Sequence, residues 1–202
     1  MAEGKENSTP KSRIESLSDL IFGLALSIGA LTLIGQAPSN FGNLLFSLTY
    51  YGFSFLILIN VWYTYTRTMS SVRIETSRAV YLNIALLFLV SIEPFLFNEL
   101  IFSKLSTQNV SVLYALDLGG LFLILGFLAG SIIADDKAGE KKTHFILQRN
   151  TQLVGAAIFF ISILPFFWTL QIPIGSGIPL RFILWLFTLF LHSIRRLLEK
   201  RK

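Results

Sequence analysis

Residues 13–35 read Arg13-Ile14-Glu15-Ser16-Leu17-Ser18-Asp19-Leu20-Ile21-Phe22-Gly23-Leu24-Ala25-Leu26-Ser27-Ile28-Gly29-Ala30-Leu31-Thr32-Leu33-Ile34-Gly35. After Asp19 the stretch carries no charge. About 20 apolar residues suffice to cross a bilayer as a helix. Hydrocarbon offers no water to the backbone, so only a helix or a closed barrel can span it, and a continuous run without alternation selects the helix. Five further runs of the same character follow, near Phe41 to Thr66, Ala79 to Phe102, Val110 to Ala134, Gln152 to Leu170 and Ile178 to Ile194. The expected fold class is an all-α integral membrane protein with six transmembrane helices.

The composition agrees. Of 202 residues, 53% are apolar and 14% charged, against roughly 25% charged in an average soluble domain. Six spans of about 21 residues leave only about 76 for tails and loops, so no folded soluble domain fits. Residues 1–12 are polar and are expected to form a short disordered cytoplasmic tail, with residues 13–202 as one transmembrane domain. The long first apolar run lacks a small-residue cleavage site, which argues against a signal peptide. There is no cysteine, which excludes disulfides, thiolate metal sites and cysteine nucleophiles. His144 and His192 lie far apart, without metal-ligand spacing, so no metal and no cofactor are expected. No GxSxG, HExxH or GxxxxGK[ST] pattern occurs, so no enzymatic activity is expected. A TVGYG potassium filter is also missing.

The basic residues orient the spans. The net charge is +5 with 17 Lys and Arg. Lys5, Lys11 and Arg13 precede the first span, and Arg67, Arg73 and Arg78 join the second to the third. Lys137, Lys141, Lys142 and Arg149 join the fourth to the fifth, and Arg195, Arg196, Lys200, Arg201 and Lys202 follow the sixth. With six spans all of these share one side, leaving Lys104 and Arg181 opposite; five or seven would scatter them. The positive-inside rule then makes both termini cytoplasmic. The basic excess reads as a topology signal and a contact with anionic lipid in the bilayer, not as a nucleic-acid patch. The loops at Gln36 to Asn40 and Gln171 to Gly177 are too short for a receptor domain.

Away from the span ends, three carboxylates are read at membrane depth: Asp19, Glu93 and Asp117. Ionisable groups at such depth face protein or water. Glu93 and Asp117 are candidate proton sites; a carboxyl hydrogen-bonded to a neighbouring helix carries more weight, because no basic residue lies at their depth. Pro94 and Pro165 each interrupt a span. In the first span Gly23, Ser27 and Ala30 recur at i, i+4, i+7, a spacing that lets helix backbones approach. Leu24, Ile28 and Leu31 form a second stripe with the same spacing. One stripe can pack while the other faces a symmetry axis, where rings of aliphatic side chains gate by dewetting. On the residues alone, lipid-facing Leu and Ile are the commoner explanation. Gly126 and Gly130 form another close-packing pair.

The stretch Arg13-Ile-Glu-Ser-Leu17-Ser18-Asp19 resembles the RxxxFSD signature of the transmembrane protein 175 family of potassium channels, at the start of the first span as in the family. Trp62 late in the second span, Asn83 through to Pro94-Phe95 in the third, and Leu113-Tyr114-Ala115 in the fourth extend the likeness over almost the whole chain. Six spans in about 200 residues match the prokaryotic single-repeat members. Leu17 replaces the motif's Phe, Leu20 a frequent Gly, Ser27 a common Thr and Tyr65 a common His. The resemblance implies a homotetramer with the first helix lining a central pore. It implies Leu24, Ile28 and Leu31 as constriction and gate, Ser27 in ion selectivity, and Arg13, Ser18, Asp19 and Trp62 in a polar network tying the first helix to its neighbours. The implied function is a channel conducting potassium and other monovalent cations passively, without a cofactor, in a prokaryotic plasma membrane. An alternative from another class is a proton leak or proton-coupled transporter using Glu93, Asp117 or Asp19, although the paired interrupted helices of carriers are missing.

Overall fold

Pro10 opens the first helix. Its fixed φ suits the first helical position, where the missing N–H would have no partner. The computed structural model describes residues 10–35, 40–71, 77–102, 106–134, 142–173 and 178–199. It forms α1 (Pro10–Gly35), α2 (Phe41–Met69), α3 (Ser77–Phe102), α4 (Thr107–Ala134), α5 (Lys142–Ser162), the short α6 (Phe166–Thr169), β1 (Gln171–Ile172), β2 (Ile178–Pro179) and α7 (Leu180–Glu199). The expected tail is therefore shorter than 1–12: residues 10–12 belong to α1, whose first turn is anchored where the Lys11 Nζ donates to the Ser70 carbonyl at 2.9 Å. That carbonyl lies at the C-terminus of α2, where a cation is favoured. Residues 1–9 lie outside the described residues.

Lys11–Leu31, Phe41–Met69, Arg78–Phe102 and Thr107–Ala134 are long and apolar enough to cross a membrane. With them the chain is an all-α integral membrane protein. Asn40 caps α2, its side chain accepting from the Asn43 N–H at 2.8 Å. Successive long helices run antiparallel. Ser18 of α1 meets Tyr65 of α2, and further along Gly29 meets Tyr51. Ser54 of α2 meets Glu93 of α3 while Tyr65 meets Asn83. Along α4 and α5, Gly119 abuts Phe160, Gly126 abuts Leu153 and Gly130 abuts Arg149. α7 returns along α5, with Arg181 at Ser162 and Trp185 at Phe159.

α4 is the core helix. Tyr114, Ala115, Leu118, Leu121, Leu125 and Leu128 have no exposed surface. Its glycines set the distance to α5: a Cβ on Gly119 would stand 2.7 Å from the Phe160 ring, and one on Gly126 would stand 2.9 Å from Leu153. Small residues at a helix seam let backbones approach in just this way.

The fifth apolar run, expected near Gln152 to Leu170, is shifted. α5 starts at Lys142 and stops at Ser162, before Pro165. Proline lacks an N–H and clashes with the preceding turn, so the helix cannot run through it. The more polar N-terminal half of α5 is helical because it packs inward, with the Gln148 amide donating to the Thr68 hydroxyl of α2. After Pro165 the chain makes α6 and a two-residue antiparallel pair, Gln171 opposite Pro179 and Ile172 opposite Ile178. Arg181 also differs from its sequence expectation as an outer loop charge. It is fully buried. Its guanidinium donates to the Ser162 carbonyl at 2.7 Å, the Ile163 carbonyl at 3.0 Å and the Ser111 hydroxyl, and stands 5.4 Å from the Trp168 ring centroid. The carbonyls left open where α5 ends need donors, and Arg181 supplies them.

Candidate functional site

α1 has two faces, set by its sequence. Ser18, Phe22, Ala25 and Gly29 are buried against α2 and α3. Gly29 must be small, since a Cβ there would already touch the Tyr51 ring at 3.4 Å. On the other side Leu24, Ile28 and Leu31 are 57%, 41% and 61% exposed. Leu17 and Leu20 are exposed as well and prolong the stripe toward the start of the helix. Sequence reasoning passed over these two, although the i, i+3, i+7 spacing from Leu17 to Leu20 and Leu24 was a usable signal. Ser27 stands on the exposed side, its hydroxyl donating to the Gly23 carbonyl at 2.8 Å. Its one proton is thereby committed and its lone pairs point away from the helix. The small-residue stripe does not pack inside the chain: a methyl on Gly23 would meet nothing within 4 Å, and Ala30 is half-buried.

The buried face of α1 is tied by polar contacts near its beginning. The Ser18 and Tyr65 hydroxyls are 2.6 Å apart, and Tyr65 donates to Asn83 Oδ1 at 2.7 Å, so α1, α2 and α3 share one chain of hydrogen bonds. One turn away on α2, the Trp62 indole N–H donates to Asp19 Oδ1 at 2.9 Å. Ser18, Asp19 and Trp62 thus come together. Arg13 does not join them: it is exposed and has no hydrogen-bond or ion-pair partner among the described residues. Tyr65 and Asn83 are the members that motif reasoning did not place in the network. Their signal was a hydrogen-bonding side chain inside an otherwise apolar run.

Glu93 and Asp117 form a separate constellation. Glu93 has no exposed surface and Asp117 is 4% exposed. Glu93 Oε1 accepts from the Ser54 hydroxyl of α2 at 2.6 Å and from the Tyr114 hydroxyl of α4 at 2.9 Å. Asp117 lies within electrostatic reach of Glu93. Among the described residues no group of three or more His, Asp or Glu is placed to hold a metal ion.

Comparison with known proteins follows the same line. The model of the family described as "Endosomal/lysosomal potassium channel TMEM175" matches residues 13–94, which are α1, α2 and α3 as far as Pro94. No curated protein matches. Among solved structures, the "crystal structure of a lysosomal potassium-selective channel TMEM175 homolog from Chamaesiphon Minutus" superposes with a TM-score of 0.63 at 19% identity, covering 92% of this chain and 97% of that one. The resemblance read from Arg13 to Asp19 points the same way as the family match over α1 to α3, and the fold over nearly the full length is similar to that of the Chamaesiphon channel. Both names are those of ion channels, neither of an enzyme.

Proposed function

We propose that the protein is a potassium-permeable cation channel in which four copies surround a central pore lined by α1. Six helices, α1 to α5 and α7, cross the membrane with both termini in the cytoplasm of a prokaryotic cell. Potassium moves passively down its electrochemical gradient, and no cofactor takes part. Leu24, Ile28 and Leu31 form stacked aliphatic rings that constrict the pore. An ion that sheds water there gains nothing from a hydrocarbon wall, so the rings are the barrier and opening must widen or wet them. Ser27, between two of these rings, offers the passing ion an oxygen. Ser18, Asp19 and Trp62 hold α1 against its own protomer so that the opposite face stays toward the axis, with Arg13 at the pore's cytoplasmic entrance.

The observation that carries this reading is the aliphatic stripe of α1, exposed in the protomer at Leu24, Ile28 and Leu31, the residues that the sequence resemblance implies as the constriction. The family match over α1 to α3 and the fold of the Chamaesiphon channel support it. The test is cation flux from proteoliposomes containing the purified protein. Replacing Leu24, Ile28 and Leu31 together by Ala is expected to raise the leak several-fold. Unchanged flux would remove the three residues from the pore.

A further inference from the structure

We propose that Glu93 and Asp117 form an internal proton-binding site, held inside each protomer between α2, α3 and α4 and distinct from the exposed stripe of α1. The site is built rather than a chance meeting of acids. Ser54 and Tyr114 aim two hydroxyls at a single oxygen, Glu93 Oε1. The remaining oxygens, Glu93 Oε2 and both of Asp117, are buried without a hydrogen-bond partner among the described residues.

The surroundings decide the charge. No lysine, arginine or histidine among the described residues hydrogen-bonds or pairs with either carboxyl. From α2 the site receives Ser54 and, within electrostatic reach of Glu93, Tyr51, whose hydroxyl turns to the Leu26 carbonyl of α1 at 3.4 Å. From α4 it receives Tyr114 and Asp117. From α7 come the Trp185 ring, 5.4 Å from that of Tyr114, and Arg181, which reaches α4 one turn earlier at Ser111 and is bound there and to the carbonyls that end α5. Asp117 stands three residues beyond Tyr114, on the same face of α4 as this donor to Glu93, and two buried carboxyls in one low-dielectric neighbourhood with no cation between them cannot both ionise. The pair therefore carries at most one negative charge. Glu93 is the member equipped to hold it, through its two hydroxyl donors, and Asp117 is the member that keeps a proton. Proton release from Asp117 puts a second charge between α3 and α4, so ionisation of the whole pair opposes their packing.

The inference does not depend on the pore reading, since it concerns contacts within one chain. The test is infrared spectroscopy of the full-length protein in lipid vesicles, titrated from mildly acidic to alkaline pH. The wild type is expected to show a protonated-carboxyl C=O band at neutral pH that shifts slowly in heavy water, as a buried group exchanges. Asp117→Asn should remove that band. Absence of a protonated-carboxyl band at neutral pH in the wild type overturns the proposal and needs no variant to fold. A band that appears only when sodium and potassium are replaced by a large organic cation also overturns it, because the pair then holds a metal cation in place of the proton. A band unaffected by Asp117→Asn assigns the proton elsewhere and is equally contrary.

Discussion

Tyr65 makes contacts that no single helix could supply. Its hydroxyl is shared with Ser18 of α1 and donated to Asn83 of α3, in a part of the chain where those groups have no water to turn to. Interhelical hydrogen bonds in membranes average roughly 0.6 kcal/mol and reach about 1.7, so Tyr65→Phe, which cuts two at once, should cost about 1 kcal/mol. Thermal unfolding in detergent checks this, and a midpoint equal to wild type would show that the two bonds contribute nothing. Ser27 differs in kind. Its hydroxyl faces outward, and its only hydrogen bond among the described residues is to its own helix at Gly23. Removing it should leave stability unchanged. Under bi-ionic potassium and sodium conditions Ser27→Ala should shift the reversal potential, and an unmoved value would take Ser27 out of selectivity.

At the scale of helices, the α4–α5 seam is the tightest contact. Gly119 faces the Phe160 ring with no room for a side chain. Overpacking a close-packed seam costs about 1–3 kcal/mol, so Gly119→Val should lower the unfolding midpoint, whereas Gly23→Ala, with open space around it, should not lower it within the protomer. The end of α5 is a second weak point. Arg181→Met would strand the Ser162 and Ile163 carbonyls, which Arg181 now satisfies. Buried groups stripped of a charged donor cost about 2–3 kcal/mol, and a limited proteolysis assay should find the Pro165 region cut faster. The first four helices were legible because each is a continuous apolar run bounded by polar residues. α5 was misplaced because hydropathy alone carries the run past Pro165 and discounts Gln148, whose amide is buried on Thr68 of another helix. The same limit applied at the sites. Spacing found the stripe of Leu24, Ile28 and Leu31, but the open side of Gly23 and Ser27, and the Ser54 and Tyr114 donors to Glu93, depend on which helices meet.

In the whole molecule, helix alternation gathers charge at one end. Because neighbouring helices are antiparallel, Lys11 and Arg13 at the start of α1, Arg67 at the end of α2, Arg78 at the start of α3, and Lys142 and Arg149 in α5 share one end of the bundle. Arg181, at the start of α7, lies at the other and is internally satisfied. That asymmetry fits cytoplasmic termini. The stripe of Leu17, Leu20, Leu24, Ile28 and Leu31 on α1 is left exposed by the described residues of its own chain, which four copies around an axis would resolve. Chemical cross-linking of the protein in vesicles should accordingly stop at four copies; a ladder ending at two would contradict the tetramer. The pore itself can be probed with a single thiol, because the chain contains no cysteine. Potassium current should be recorded from Ile28→Cys, on the stripe, and from Phe88→Cys, 61% exposed on α3, before and after a water-soluble, charged thiol reagent. Rapid loss of current in Ile28→Cys with none in Phe88→Cys is the predicted result. Current that persists unchanged in Ile28→Cys, and likewise in Leu24→Cys and Leu31→Cys, would contradict a pore lined by α1.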